Sequence, residues 1–162
     1  MQKSRQRIIL SEILAAILLA VFILAVVRKP ARDDVSFDEL KEALLAASFD
    51  STNMKEGSAL KLRTLYGLSA DDYEEVLLYV PSTNMDAQEL LLIRCRTEED
   101  TANVTEAMRQ RVEQEKGVFS SYGIEQMALL NKAFYEARGC LCLYVCDKNS
   151  DMMHEAFLKA TK

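Results

Sequence analysis

The sequence predicts an α+β fold carried on an N-terminal membrane anchor. It combines a single transmembrane helix with a two-layer domain, whose four-stranded, mainly antiparallel sheet is packed by helices. Three observations predict this. Residues 8–27 form a run of twenty in which only Ser11 and Glu12 are polar. Four later segments are short, apolar and arranged in two pairs. Around these pairs lie stretches with the apolar spacing of helices, so strands and helices are segregated as in an α+β sandwich rather than alternating as in a doubly wound sheet.

The anchor comes first. At about 1.5 Å per helical residue, a twenty-residue run covers the roughly 30 Å hydrocarbon core of a bilayer. The run ends in Val26, Val27, Arg28, Lys29 and Pro30 without a small-x-small cleavage site, and no cysteine stands near its end to accept lipid. The expected organisation is therefore a basic tail (1–7), an uncleaved transmembrane helix (8–27), a linker (28–35) and a soluble α+β domain (36–162). Lys3, Arg5 and Arg7 before the run balance Arg28, Lys29 and Arg32 after it, so the positive-inside rule does not choose an orientation. A short basic N-terminus ahead of the first apolar segment favours an extracytoplasmic domain on a single-pass cell-membrane protein. The bilayer is the partner expected for residues 8–27. Glu12, Ser11 with Ala15, and Ala16 with Ala20 at small-xxx-small spacing leave homo-oligomerisation through the membrane helix open.

Charge divides the chain. The first 32 residues hold six Lys or Arg against one Glu, a net of +5, and the other 130 hold 14 against 24 acids, a net of −10. An acidic domain argues against nucleic acid, whose counterions are released only by a positive face.

Within the domain, a helix is expected over 36–48, with Ser36 and Glu39 spaced as a capping box and Phe37, Leu40, Leu44 and Ala47 as its apolar stripe. Residues 48–58 read as a loop. A second helix over 59–66 should end at Gly67, which adopts the left-handed conformation at little cost. Ser69 and Asp72 then start a capped turn. Strands are expected over 75–80 and 89–96, joined by a Pro-Ser-Thr-Asn loop. In the second, Leu91, Ile93 and Cys95 oppose Leu92, Arg94 and Arg96, the alternation of a half-buried strand.

Asp100 or Thr101 should cap a long helix reaching about residue 119. Val104, Met108, Val112 and Phe119 point inward along it, and Arg109, Arg111, Glu113 and Glu115 mostly outward. Residues 123–131 read as a further helix or turn. Residues 132–147 form two strands folded at Arg138 and Gly139. Leu141, Leu143 and Val145 make one apolar face of the last strand, and its other face is nearly as apolar, so it should be central or covered on both sides. A helix over 149–160, with Met152, Met153, Ala156 and Phe157, closes the chain.

Four cysteines, Cys95, Cys140, Cys142 and Cys146, carry the only redox candidates and lack zinc-site spacing. On a strand, Cys140, Cys142 and Cys146 share one face with Tyr144, and a neighbouring strand could bring Cys95 to them. Small buried apolar residues are the plainer reading. His154, the one histidine, would have to pair with Cys142 or Cys146 to serve a nucleophile, and at a polar helix start it is expected to face solvent. Asp71, Asp72, Glu74 and Glu75 lack the alternation and central glycine of a calcium loop and suit a helix N-terminus. Asn103 begins a glycosylation sequon at a helix start, to which no weight is given, and no Gly-rich phosphate loop is present.

Several stretches together resemble a family known only as a domain of unknown function, found in small lipoproteins and single-pass surface proteins of Gram-positive bacteria. They are LYGLSADDYEEVLLYVP (65–81), AQELLLIRC (87–95), TEAMRQRVEQEKGVFSSY (105–122) and ARGCLCLYVCD (137–147). The resemblance implies an exported, membrane-attached α+β domain and brings no functional residue with it. This chain departs from many such proteins in lacking a lipid-accepting cysteine and in carrying three cysteines in its last strand. The expected function is that of a membrane-anchored, acidic interaction or binding domain, with an envelope protein or ligand as partner. No enzyme activity, metal or cofactor is expected. The alternative is a thiol-based redox or sensor domain using the four cysteines.

Overall fold

The structure is a computed structural model that describes residues 17–19, 35–47 and 49–162. The chain divides into two units, Met1–Pro30 and Ala31–Lys162. In the first, residues 17–19 are helical and exposed. The remainder of the predicted membrane segment 8–27, the tail 1–7 and nearly all of the linker 28–35 lie outside the described residues. Among the described residues no helix is long and apolar enough to cross a membrane.

The second unit is built on a five-stranded, wholly antiparallel sheet. Its elements in chain order are α1 (Phe37–Ala46), β1 (Met54–Glu56), α2 (Ala59–Tyr66), β2 (Glu75–Pro81), β3 (Glu89–Arg94), α3 (Asp100–Phe119), α4 (Ile124–Lys132), β4 (Phe134–Arg138), β5 (Leu141–Cys146) and α5 (Ser150–Ala160). A 3-10 turn, Ala70–Asp72, precedes β2. The strand order is β1-β2-β3-β5-β4. After β3 the chain makes α3 and α4, lays β4 at the far edge, and turns back through Gly139 and Cys140 so that β5 fills the place beside β3. Gly139 has φ 53°, the positive value that a two-residue hairpin connection demands at its first central residue.

The fold has five strands where the sequence suggests four, and three layers where it suggests two. The extra strand, β1, lies in the segment read as a loop. Its Met-Lys-Glu side chains carry no strand pattern, and main-chain pairing recruits it: it runs in register with β2, flanked by Ser82 N–H to the Asn53 carbonyl and Gly57 N–H to the Leu78 carbonyl, both at 2.8 Å.

The third layer has a simpler cause, two apolar faces on the central strands. One face carries Leu78, Leu91, Ile93, Cys142 and Tyr144 and is covered by Leu62 of α2, by Val104, Met108, Val112 and Phe119 of α3 and by Leu130 of α4. The other carries Leu77, Leu90, Leu92, Leu143 and Val145 and is covered by Leu40 and Leu44 of α1 and Met153 and Phe157 of α5. β5 is covered on both faces, as its composition predicts. β3 is buried on both faces rather than half-buried, because α1 and α5 close over Leu90 and Leu92. At roughly 1.5–3 kcal/mol for each fully buried large aliphatic or aromatic side chain, these two cores are the main source of stability.

Local signals govern the element ends unevenly. α2 ends at Gly67 with φ 69°, and the Ser58 hydroxyl accepts from Lys61 N–H at its start. By contrast, the Ser36 side chain makes no capping bond, so the expected capping box does not form. Asp100 instead holds the approach to α3, its carboxylate accepting from both Thr97 N–H and the Thr97 hydroxyl.

Candidate functional site

The stripe of α3 that faces the sheet runs Val104, Met108, Val112 and Phe119, but Arg111 and Glu115 flank it at helical spacing and turn inward with it. Their side chains are only 11% and 14% exposed, against the outward orientation expected from sequence. Arg109 does point outward, paired with Glu106 at 2.7 Å.

What draws Arg111 in is Glu89, the first residue of β3. It has the strand parity of Leu91 and Ile93 and so projects beneath α3, with its side chain 2% exposed. Arg111 Nη2 donates to Glu89 Oε2 at 2.8 Å, and Nε lies 3.2 and 3.3 Å from the two carboxylate oxygens. Its Nη1 donates to Glu115 at 2.6 Å. The Tyr66 hydroxyl at the end of α2 donates to Glu89 Oε1. Tyr66 meets Tyr144 of β5 edge-on, ring centroids 6.4 Å apart. The Tyr144 hydroxyl, also buried, has no hydrogen-bond partner among the described residues.

Electrostatics fix the charge states. Burial works against the Arg111 charge, but the Glu89 carboxylate outweighs it and holds the guanidinium protonated. Burial raises the Glu115 carboxyl above its ordinary range although Arg111 opposes the shift. Burial, reinforced by Glu89, also raises the Tyr66 hydroxyl well above 10.0, which keeps it a neutral donor.

This network opens on one side to a cleft of about 410 Å³ between β1, the β2–β3 loop and the C-terminal half of α3. Arg111 and Glu115 line it, with Lys55 of β1 and Lys61 of α2 as further cations. Met85, Val118 and Tyr122 stand at its walls while remaining 62%, 49% and 56% exposed, so the polar cleft carries an apolar rim. Tyr122 is held there by Phe119, ring centroids 5.7 Å apart. The cleft thus has a floor of mutually held charged side chains and a rim of exposed methionine, valine and tyrosine.

The cysteines fall into two places. Cys95, just past β3, lies across from Cys140, with its N–H donating to the Cys140 carbonyl at 2.8 Å, and its Sγ is 3.9 Å from Cys142 Sγ. Cys146 is four residues further along β5 than Cys142, about 13 Å at strand rise, and opposes Glu89 in the ladder. All four are thiols; Cys95, Cys142 and Cys146 are buried and Cys140 is half-buried. Burial, then the nearby Glu89, pushes the Cys146 thiol up to about 12. Cys142 is raised further by its hydrogen bond with Cys95 and by burial, and that same hydrogen bond lowers Cys95.

His154 lies on the other face of the sheet, among α5 and β4, so the sheet separates it from every cysteine. It is half-buried rather than solvent-facing, 2.5 Å from Glu136 Oε2 and stacked 4.3 Å from the Phe134 ring centroid. Of the four acids near the 3-10 turn, Glu75 pairs with Arg94 at 2.9 Å, and Arg96 donates to the Asp71 and Asp72 carbonyls. No group of three or more His, Cys, Asp or Glu among the described residues is placed to hold a metal ion.

The sequence reading missed the Glu89, Arg111 and Tyr66 network. A signal for it exists: an acid sharing the parity of Leu91 and Ile93, and an Arg and Glu four residues apart beside an apolar helical stripe.

Compared with known proteins, residues 47–147 match the family described as a domain of unknown function, DUF4358. No curated protein and no solved structure matches the chain.

Proposed function

The chain belongs to the DUF4358 family of domains of unknown function, and from that premise we propose that it is a membrane-tethered binding domain whose recognition surface is the cleft beneath α3. The observation that carries this reading is Arg111. It is a cation held almost out of solvent by Glu89 and Glu115, and it forms the floor of a cleft rimmed by exposed Met85, Val118 and Tyr122. Fixing the guanidinium in advance removes much of the side-chain ordering that binding otherwise costs, about 0.5–1.5 kcal/mol per long side chain. Arg111 and Tyr122 are of the residue types that most often carry binding energy, and the apolar side chains around them would exclude water from the contact. Lys55 and Lys61 favour a partner that presents an acidic or carbonyl-rich segment to the floor and an apolar side chain to the rim. Residues 8–27 serve as the tether, and the domain faces the outside of the cell. The apolar run and the short basic N-terminus before it support that placement.

The test is site-specific photo-crosslinking of the full-length chain in cells. A crosslinking residue at Tyr122 is compared with one at Met152, which is 52% exposed on α5, across the sheet from the cleft. The expected result is a discrete adduct from position 122 that disappears with Lys61→Glu or Met85→Asp, and none from position 152. No adduct at 122, or the same adduct from both positions, removes the cleft as the binding surface.

A further inference from the structure

A second feature stands apart from the cleft, at the opposite end of β5. Three thiols converge where β3 leaves the sheet: Cys95 and Cys142 with Sγ atoms 3.9 Å apart, and Cys140 across the ladder from Cys95. Cys95 and Cys142 are 1% and 0% exposed, whereas Cys140, in the β4–β5 turn, is half-buried. We propose that Cys95 and Cys142 form a disulfide by exchange with a low-molecular-weight disulfide, and that Cys140 is the relay through which the exchange reaches them.

The geometry supports each part. A disulfide needs its sulfurs to close from 3.9 Å to about 2.05 Å; because Cys140 stands opposite Cys95 and Cys142 is its diagonal neighbour, closing the bond also draws the ends of the two strands together. Cys95 and Cys142 are buried, and of the three Cys140 alone is partly exposed.

The exchange balances in three displacements. The Cys140 thiolate attacks the external disulfide, forming a mixed disulfide and releasing one small thiolate. The Cys95 thiolate then attacks the Cys140 sulfur and expels the second small thiolate. Finally the Cys142 thiol, giving up its proton as it attacks, bonds to the Cys95 sulfur, closes the Cys95–Cys142 bond and returns Cys140 as a thiolate. Two protein thiols are oxidised and one external disulfide is reduced. The two protons given up by Cys95 and Cys142 end on the two small thiols. The hydrogen bond from Cys142 favours the ionised form of Cys95, which suits Cys95 to the middle step.

The bond would pin the end of β3 to β5 beneath the first turn of α3, where Cys142 Sγ already lies 4.0 Å from the Thr101 carbonyl. It closes a loop over the 46 residues between the two cysteines, which restricts the unfolded chain.

The experiment incubates the full-length protein with oxidised glutathione, quenches with acid, and maps disulfides by peptide mass spectrometry, with a melting curve on each sample. The expected product is a Cys95–Cys142 peptide two hydrogens lighter than the reduced pair, with a melting midpoint raised by about 5 °C or more. In Cys140→Ser, formation should be slower by about tenfold or more while the reduced protein keeps its midpoint. A wild-type protein that stays folded and fully reduced overturns the proposal, and so does a stable Cys95–Cys140 product. An unchanged rate in Cys140→Ser overturns the relay. The wild-type mapping needs no variant, so a poorly folding mutant does not decide the outcome.

Discussion

Arg111→Met is the most informative single change, because it removes a charge from a place where its partner is unable to reach water. The Glu89 side chain is 2% exposed and makes hydrogen bonds to Arg111 and Tyr66. Taking Arg111 away leaves a buried carboxylate with a single neutral donor. Breaking a buried ion pair from one side costs about 3–5 kcal/mol. At roughly 2.1 cal/mol/K of unfolding entropy per residue, a domain of about 130 residues then melts about 10–20 °C lower. Glu89→Gln should cost less, since the amide keeps an acceptor for Tyr66 and leaves Arg111 its Glu115 partner. The double variant should recover about 2 kcal/mol or more relative to the sum of the singles, because neither charge is then stranded. Urea denaturation of the four proteins, followed by far-UV circular dichroism, closes this cycle. A coupling energy within about 0.5 kcal/mol of zero would refute the reasoning, since the two groups would then be independently solvated.

Two further predictions bear on the thiols and on placement. Because Cys146 holds its proton to about 12 in the folded chain against 9.0 ordinarily, the native state binds more protons than the unfolded one between those values. Stability from this group is complete below 9.0 and declines as pH rises through that window, by up to about 1.4 kcal/mol per unit. Denaturation at about pH 8 and about pH 10 should show the loss, and Cys146→Val should lessen it; a slope unchanged in the variant contradicts the assignment. For placement, Ser121→Cys, exposed at the end of α3, should react with a membrane-impermeant maleimide on intact cells in a Cys140→Ser background. Reaction only after lysis would put the domain in the cytoplasm.

By itself the sequence determined those parts of this protein that depend on local periodicity. α2 stops at Gly67, and α3 packs through Val104, Met108 and Val112, because capping and the 3.6-residue repeat are written within a few neighbouring residues. The two-faced apolar run from Leu141 to Cys146 likewise requires a covered, central strand wherever it lies. The family follows from sequence too, over residues 47–147.

Tertiary structure alone decided what depends on partners distant along the chain. β1 exists through backbone pairing with β2, which its own Met-Lys-Glu side chains do not announce. α1 and α5 bury Leu90 and Leu92, turning an apparently half-exposed strand into one covered on both faces. Arg111 is the clearest case. Beside Arg109 it reads as another outward cation, yet Glu89, twenty-two residues earlier, draws it inward. The direction of a long charged side chain at the border of an apolar stripe is set by where its counter-charge lies, and only the folded sheet brings that charge beneath the helix.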